Sequence, residues 1–193
     1  MFFTLYSFFK QWWRHSFLST WYVKHLVRTY RIDLTSYTFQ CTRKLTLAAF
    51  LERAYRVRPP LQKQAPHGIS APVAGMVTQS GENHLTIHTN IQHYHRIHLP
   101  FSGSITHYTR APYTTTTIHI TAPNGLTGVL TIQTPHEPYG TVLRYNKRRN
   151  YHLQGREIGI ICASQAMVTL QTNMPCFTSS DSGRRETTCN APL

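Results

Sequence analysis

The chain reads as α+β: N-terminal helices followed by a compact β-rich domain. Two patterns and one bulk property carry that reading. Apolar residues at Leu5, Phe9, Trp13, Phe17 and Trp21 recur every four positions, the spacing of one helix face. From about residue 71 the period changes to two, in short runs punctuated by Gly and Pro. A length of 193 residues with 40% hydrophobic content is enough for one domain with a core that needs neither metal nor disulfides.

In order along the chain, residues 1–31 form an aromatic, basic helical segment. Lys10, Arg14, Lys24 and Arg28 lie off its apolar stripe, and Trp12, Trp13 and Trp21 supply large amphipathic rings. Such a helix either packs on the domain or lies in a membrane interface, with rings at headgroup depth and basic groups on anionic lipid. A second helix is expected over 42–55, stopped by Pro59-Pro60. Residues 62–70 read as a polar loop. Strands follow where Leu85 and Ile87 alternate with Thr86 and His88, and where Ile118 and Ile120 flank His119. The runs Val129–Ile132 and Met167–Leu170 are further strands. Gly81, Gly103, Pro112, Pro123-Asn124-Gly125 and Pro138 mark the turns. The expected divisions are 1–60, helical and membrane-contacting; 61–177, β-rich; and 178–193, a mobile tail without periodicity.

Twenty Lys+Arg against seven Asp+Glu give a net charge of +13, which points to anionic partners and not to any one fold. Charged residues are only 14% of the chain, which excludes a disordered polyelectrolyte. Cys41, Cys162, Cys176 and Cys189 have no CxxC or metal-finger spacing and read as reduced thiols, with a Cys176–Cys189 disulfide as the alternative. No run approaches the roughly 20 apolar residues that span a bilayer. Lys10 and Arg14 interrupt the N-terminal apolar stretch and no small-residue cleavage site follows, so no signal peptide is expected.

The most informative motif is Tyr94-His95-Arg96-Ile97-His98-Leu99-Pro100. It resembles the Tyr-His-Arg-x-His-x-Pro run of the phosphatidylserine decarboxylase family, pyruvoyl-dependent enzymes of phospholipid metabolism. Four further segments are similar to that family in the same order: Tyr30-Arg31-Ile32-Asp33-Leu34; Phe50-Leu51-Glu52-Arg53 with Arg58-Pro59-Pro60-Leu61; Ala71-Pro72-Val73-Ala74-Gly75; and Gly155-Arg156-Glu157-Ile158-Gly159.

The resemblance implies a chemistry. In the family an aspartate orients a histidine base, and a serine following glycine attacks its own peptide carbonyl. The ester then breaks by elimination, leaving a pyruvoyl group that takes the substrate amine as a Schiff base. By the match, His98 is the base, with His95 as the other candidate. Ala74 stands where the orienting aspartate belongs and accepts no hydrogen bond from an imidazole; loss of such an orienter costs about four orders of magnitude in a triad. The family's Gly-Ser-Thr falls on Ser164-Gln165-Ala166, and an amide side chain forms no ester. The family's Lys-Gly-x-x-Tyr-Ser-Leu segment has no counterpart between Gly81 and the histidine run. The expectation is therefore a membrane-peripheral, cytoplasmic-side relative that makes no pyruvoyl cofactor, binds an anionic surface or aminophospholipid, and could partner a catalytic protein. The runner-up is an active decarboxylase self-processing at Ser164.

Two other readings come from composition. His84, His88, His93, His95, His98 and His107 crowd together, and on a strand His93 and His95 would share a face as metal ligands, with a third from His88 or His107. No metal is expected, since only Glu82 lies near to complete a site. Lys147-Arg148-Arg149 between Tyr145 and Tyr151 is a basic, aromatic-flanked patch; nucleic acid ranks third among partners, because no nucleic-acid fold signature accompanies it.

Overall fold

The structure, a computed structural model, describes residues 12–39, 45–56, 69–110, 115–135, 141–143, 155–175 and 188–189. The chain divides into two compact units, Met1–Arg58 and Pro59–Leu193.

In the first unit a helical turn at 12–15 precedes helix α1, Leu18–Thr29. The two are not one continuous rod. The Ser16 amide and hydroxyl both donate to the Trp13 carbonyl, at 3.1 and 2.8 Å, and interrupt the helix there. Ser19, Val23 and Leu26, four and three apart, form the buried face of α1. Arg28 in its last turn meets the negative end of the helix dipole. Strand β1, Tyr37–Thr38, pairs antiparallel with β2, Ala54–Tyr55. Between them lies α2, Leu47–Leu51, whose N-terminal Thr46 hydroxyl accepts the Ala49 amide at 3.3 Å. The helix expected over 42–55 is thus far shorter; 40–44 lie outside the described residues. Its physical cause is Arg53. That side chain is fully buried, donates from Nη1 to the Phe50 carbonyl at 2.8 Å and lies 4.2 Å over the Phe50 ring. Tyr37 also lies beneath it, at 5.1 Å, and packs against Tyr55 with centroids 4.8 Å apart and planes inclined at 30°. The aromatic clamp around a guanidinium pulls the chain out of the helix and into a ribbon.

Among the described residues the second unit holds two antiparallel sheets. One has seven strands in the order β12-β3-β4-β11-β8-β7-β6 and the other three, β5-β10-β9. The strands are β3 Gly75–Gly81, β4 His84–Asn90, β5 Arg96–His98, β6 Ser104–Arg110, β7 Thr115–Thr121, β8 Thr127–Gln133, β9 Thr141–Leu143, β10 Glu157–Ile161, β11 Gln165–Thr172 and β12 Thr188–Cys189. Leu85 and Ile87, Ile118 and Ile120, Leu130 and Ile132, Val168 and Leu170 all turn inward, with clean period-two burial in β7, β8 and β11 and Thr86 buried as well in β4. Ile97, Leu99, Phe101, Ile158 and Ile161 from the smaller sheet and its connections join them in one core. The outer face of the large sheet is threonine-rich. Thr86, Thr169, Thr131, Thr117 and Thr109 stand in register across five adjacent strands. Gly125, with φ of 82°, turns β7 into β8 in the left-handed conformation that glycine adopts without strain. The coarse α+β class holds, with the body of the molecule in β-sheet. In the stretch expected to be a mobile tail, Thr188–Cys189 pair with Met76 and Gly75. Cys162 is buried and in no disulfide; Cys41, Cys176 and the Cys189 side chain lie outside what is described, as does the disulfide alternative.

Candidate functional site

The histidine run is held on both sides by backbone. On one side His98 donates its amide to the Pro72 carbonyl at 2.8 Å, and Ser70 donates to Pro100 at 2.8 Å. On the other, β5 pairs with β10, with His98 opposite Glu157 and Arg96 opposite Ile160. Beyond β5 the Leu99 amide donates to the Arg156 carbonyl at 2.9 Å, and the Leu99 carbonyl accepts the Gly155 amide at 2.8 Å. Alternation does the rest: Ile97 and Leu99 enter the core, while Tyr94, Arg96 and His98 follow one another on the other side.

His98 is half-buried. Its Nδ1 lies 2.9 Å from the Gly155 carbonyl oxygen. A carbonyl only accepts, so Nδ1 carries the hydrogen and, in the neutral ring, Nε2 keeps the lone pair. Gly155 offers that carbonyl from a φ of 71°, which explains a glycine there. The Tyr94 ring stacks on His98 with centroids 6.0 Å apart. Arg96, nearly buried, pairs with Glu157, which retains more solvent contact.

His95 is fully buried, and each of its nitrogens faces a carbonyl: Nδ1 that of Ile161 at 3.2 Å, Nε2 that of Asn90 at 3.0 Å. Two acceptors are both satisfied only by a ring with two N–H groups. The geometry makes His95 a clamp between the turn after β4 and the end of β10. Asn90 is the residue that sequence reasoning missed. Its carbonyl also accepts the His93 amide at 2.9 Å, and its own amide donates to His93 Nδ1 at 2.9 Å. Nothing in a Thr-Asn turn signal foretells that role.

The 163–165 turn lies at the opposite end of β10 from His98. Ala163 is buried, and Ser164 and Gln165 are exposed. Gln165 opens β11 opposite Asn90. Since Ile161 donates to the His95 carbonyl at 2.8 Å whereas His98 sits at Glu157, the two ends of β10 are about 13 Å apart at 3.3 Å per residue. The structure therefore gathers His95, Asn90, Gln165 and Ser164 at one end and leaves His98 at the other. Ala74 belongs near the first group: its carbonyl accepts the Thr89 hydroxyl at 2.9 Å, and Thr89 pairs with Ala166. Its methyl group is buried.

Nδ1 of His93 and both nitrogens of His95, the pair weighed as metal ligands from the sequence, are directed at backbone groups. No cluster of three metal-ligating side chains exists among the described residues.

Among the described N-terminal residues several aromatic rings face outward. Phe17 is 67% and Trp21 76% exposed, Trp12 about half, and Trp13 and Arg14 are half-buried. Trp21 stacks on His25 at 6.3 Å. The stripe drawn from the sequence is thus not the buried face of α1; Ser19, Val23 and Leu26 are. Lys10, Leu5, Phe9 and the 147–149 patch lie outside the described residues. No helix among the described residues is long and apolar enough to cross a membrane. No protein-family model, no curated protein and no solved structure matches the chain.

Proposed function

We propose that this is a diverged phosphatidylserine-decarboxylase-like protein, peripheral to the cytoplasmic side of an anionic membrane, that does not form a pyruvoyl group and acts by binding aminophospholipid or a catalytic partner. The resemblance of five ordered motifs is the basis for the family. The observation that carries the non-catalytic reading is the side chain at position 165. A serine there would stand at the exposed start of β11, beside Asn90 and close to the His95 clamp; the chain has glutamine, whose amide forms no ester. Two further features support it. Ala74 offers no carboxylate to orient an imidazole. His95, the histidine at that end, directs both nitrogens at carbonyl oxygens and so is not set to take a proton from the exposed Ser164 hydroxyl. The exposed rings of Phe17 and Trp21 support membrane contact.

Intact-mass measurement of the purified chain is the test. A single polypeptide is expected, and Gln165→Ser alone leaves it uncleaved, because base and orienter are still not in place. Two fragments divided between Ala163 and Ser164, the C-terminal one carrying a pyruvoyl mass, would overturn the reading and establish the self-processing decarboxylase instead.

A further inference from the structure

We propose that His107 and His119 form a two-histidine site for a transition-metal ion on the outer face of the large sheet. The pair is not visible as a sequence motif, since twelve positions separate the two. Sheet register brings them together: they are cross-strand partners on β6 and β7, with ring centroids 5.8 Å apart and planes inclined at 48°. A bulge aims them. Ile105 is opposite Ile120 and His107 opposite His119, so Thr106 is an extra residue in β6. Without it His107 would share the inward side of Ile105; with it the ring turns outward over His119.

The chemistry suits a metal. Two imidazoles bound to one tetrahedral zinc, with Zn–N of about 2.0–2.1 Å, have centroids about 5 Å apart, so a small rotation of the rings closes the chelate. His107 is exposed and His119 half-buried, and among the described residues no hydrogen bond engages either ring, in contrast to His93, His95 and His98. Strands β6, β7 and β8 contain one fixed charge in all, Arg110, so little opposes an incoming cation. No third protein ligand stands with them among the described residues; Val129 is the next partner across the sheet. Water or a ligand's own donor would complete the shell, and copper or nickel should bind more tightly than zinc or manganese to such an imidazole pair.

Calorimetric titration of the full chain with zinc chloride alone is the test, repeated with nickel. Saturable uptake of about one ion per chain is expected. Losing even an outer-shell partner costs about 10–100-fold in metal affinity, so His107→Ala and His119→Ala should each weaken binding at least about tenfold. His88→Ala, on the same face but another strand, should leave it unchanged. Circular dichroism checks folding, and His107→Gln, which keeps size and polarity, serves if the alanine variant unfolds. Absence of saturable uptake by the folded chain would overturn the proposal. So would uptake undiminished in the folded His107→Ala/His119→Ala variant.

Discussion

Single side chains in this molecule differ in how much rests on them. Arg96 and Glu157 join β5 to β10 directly beside the histidine run, with Arg96 the more buried of the two. Removing one partner of a buried pair costs about 3–5 kcal/mol, because the other charge stays desolvated. Glu157 keeps some solvent contact, so Glu157→Gln should cost about 3 kcal/mol, the lower end of that range, measured by urea unfolding. Asp33 is the opposite case, a fully exposed carboxylate that accepts the Thr35 hydroxyl at 2.6 Å, the Thr35 amide at 2.9 Å and the Ser36 hydroxyl at 2.8 Å. Those bonds, the Thr35 hydroxyl first, hold its carboxyl below the usual aspartate range. A depressed folded value contributes stability above the unfolded value, near pH 4, and loses it as pH falls through the folded one. The difference in melting temperature between the parent and Asp33→Asn should therefore be present at pH 6 and shrink below about pH 4. The histidines show how far sequence reads at this scale. The run 94–100 marked the region, but which nitrogen meets which carbonyl depends on Asn90, silent in pattern, and on Gly155 and Ile161, remote in the chain.

Secondary-structure elements were legible where their period was pure. The alternations at Leu85–Ile87, Ile118–Ile120 and in 129–132 and 167–170 read as strands, and each is one. Helices were less so. The four-residue stripe ignored the Ser16 break, and the reading of 42–55 had no means of knowing that Arg53 would leave the helix for the rings of Phe50 and Tyr37. For α1 the consequence is functional. If Phe17 and Trp21 insert at an interface, the parent should sediment with vesicles containing anionic lipid and only weakly with neutral ones. Raised salt should remove the Coulombic part, screened within about 8–10 Å, and leave an apolar remainder. Phe17→Ser/Trp21→Ser should lose that remainder; both side chains are mostly exposed, so the fold should survive. A folded variant that sediments as well as the parent would remove the helix from the membrane account.

At the scale of the whole molecule, every member of the hydrophobic cluster lies between Val73 and Leu170. Residues 59–193 should then fold when expressed alone, with a cooperative urea transition and a β-type circular dichroism spectrum. A non-cooperative transition would show that the second unit depends on the first. Charge is unevenly shared between them: ten basic and two acidic residues lie in 1–58, ten and five in 59–193. That asymmetry was available from the sequence; the two-sheet core was not, because it depends on strand order, which period alone leaves open.

The extra residue in β6 has a meaning beyond the ring it turns. Among the described residues β6 ends the large sheet, and the outermost strand of a sheet is where an extended chain can pair. A seven-residue strand without proline is long enough to recruit a copy of itself. Thr106 breaks the regular ladder midway, and the strand closes on Arg110. A regular strand docking edge-on would find its hydrogen bonds out of step after Ile105. The same irregularity that turns His107 outward thus makes the rim of this threonine-rich sheet a poor template for a regular strand.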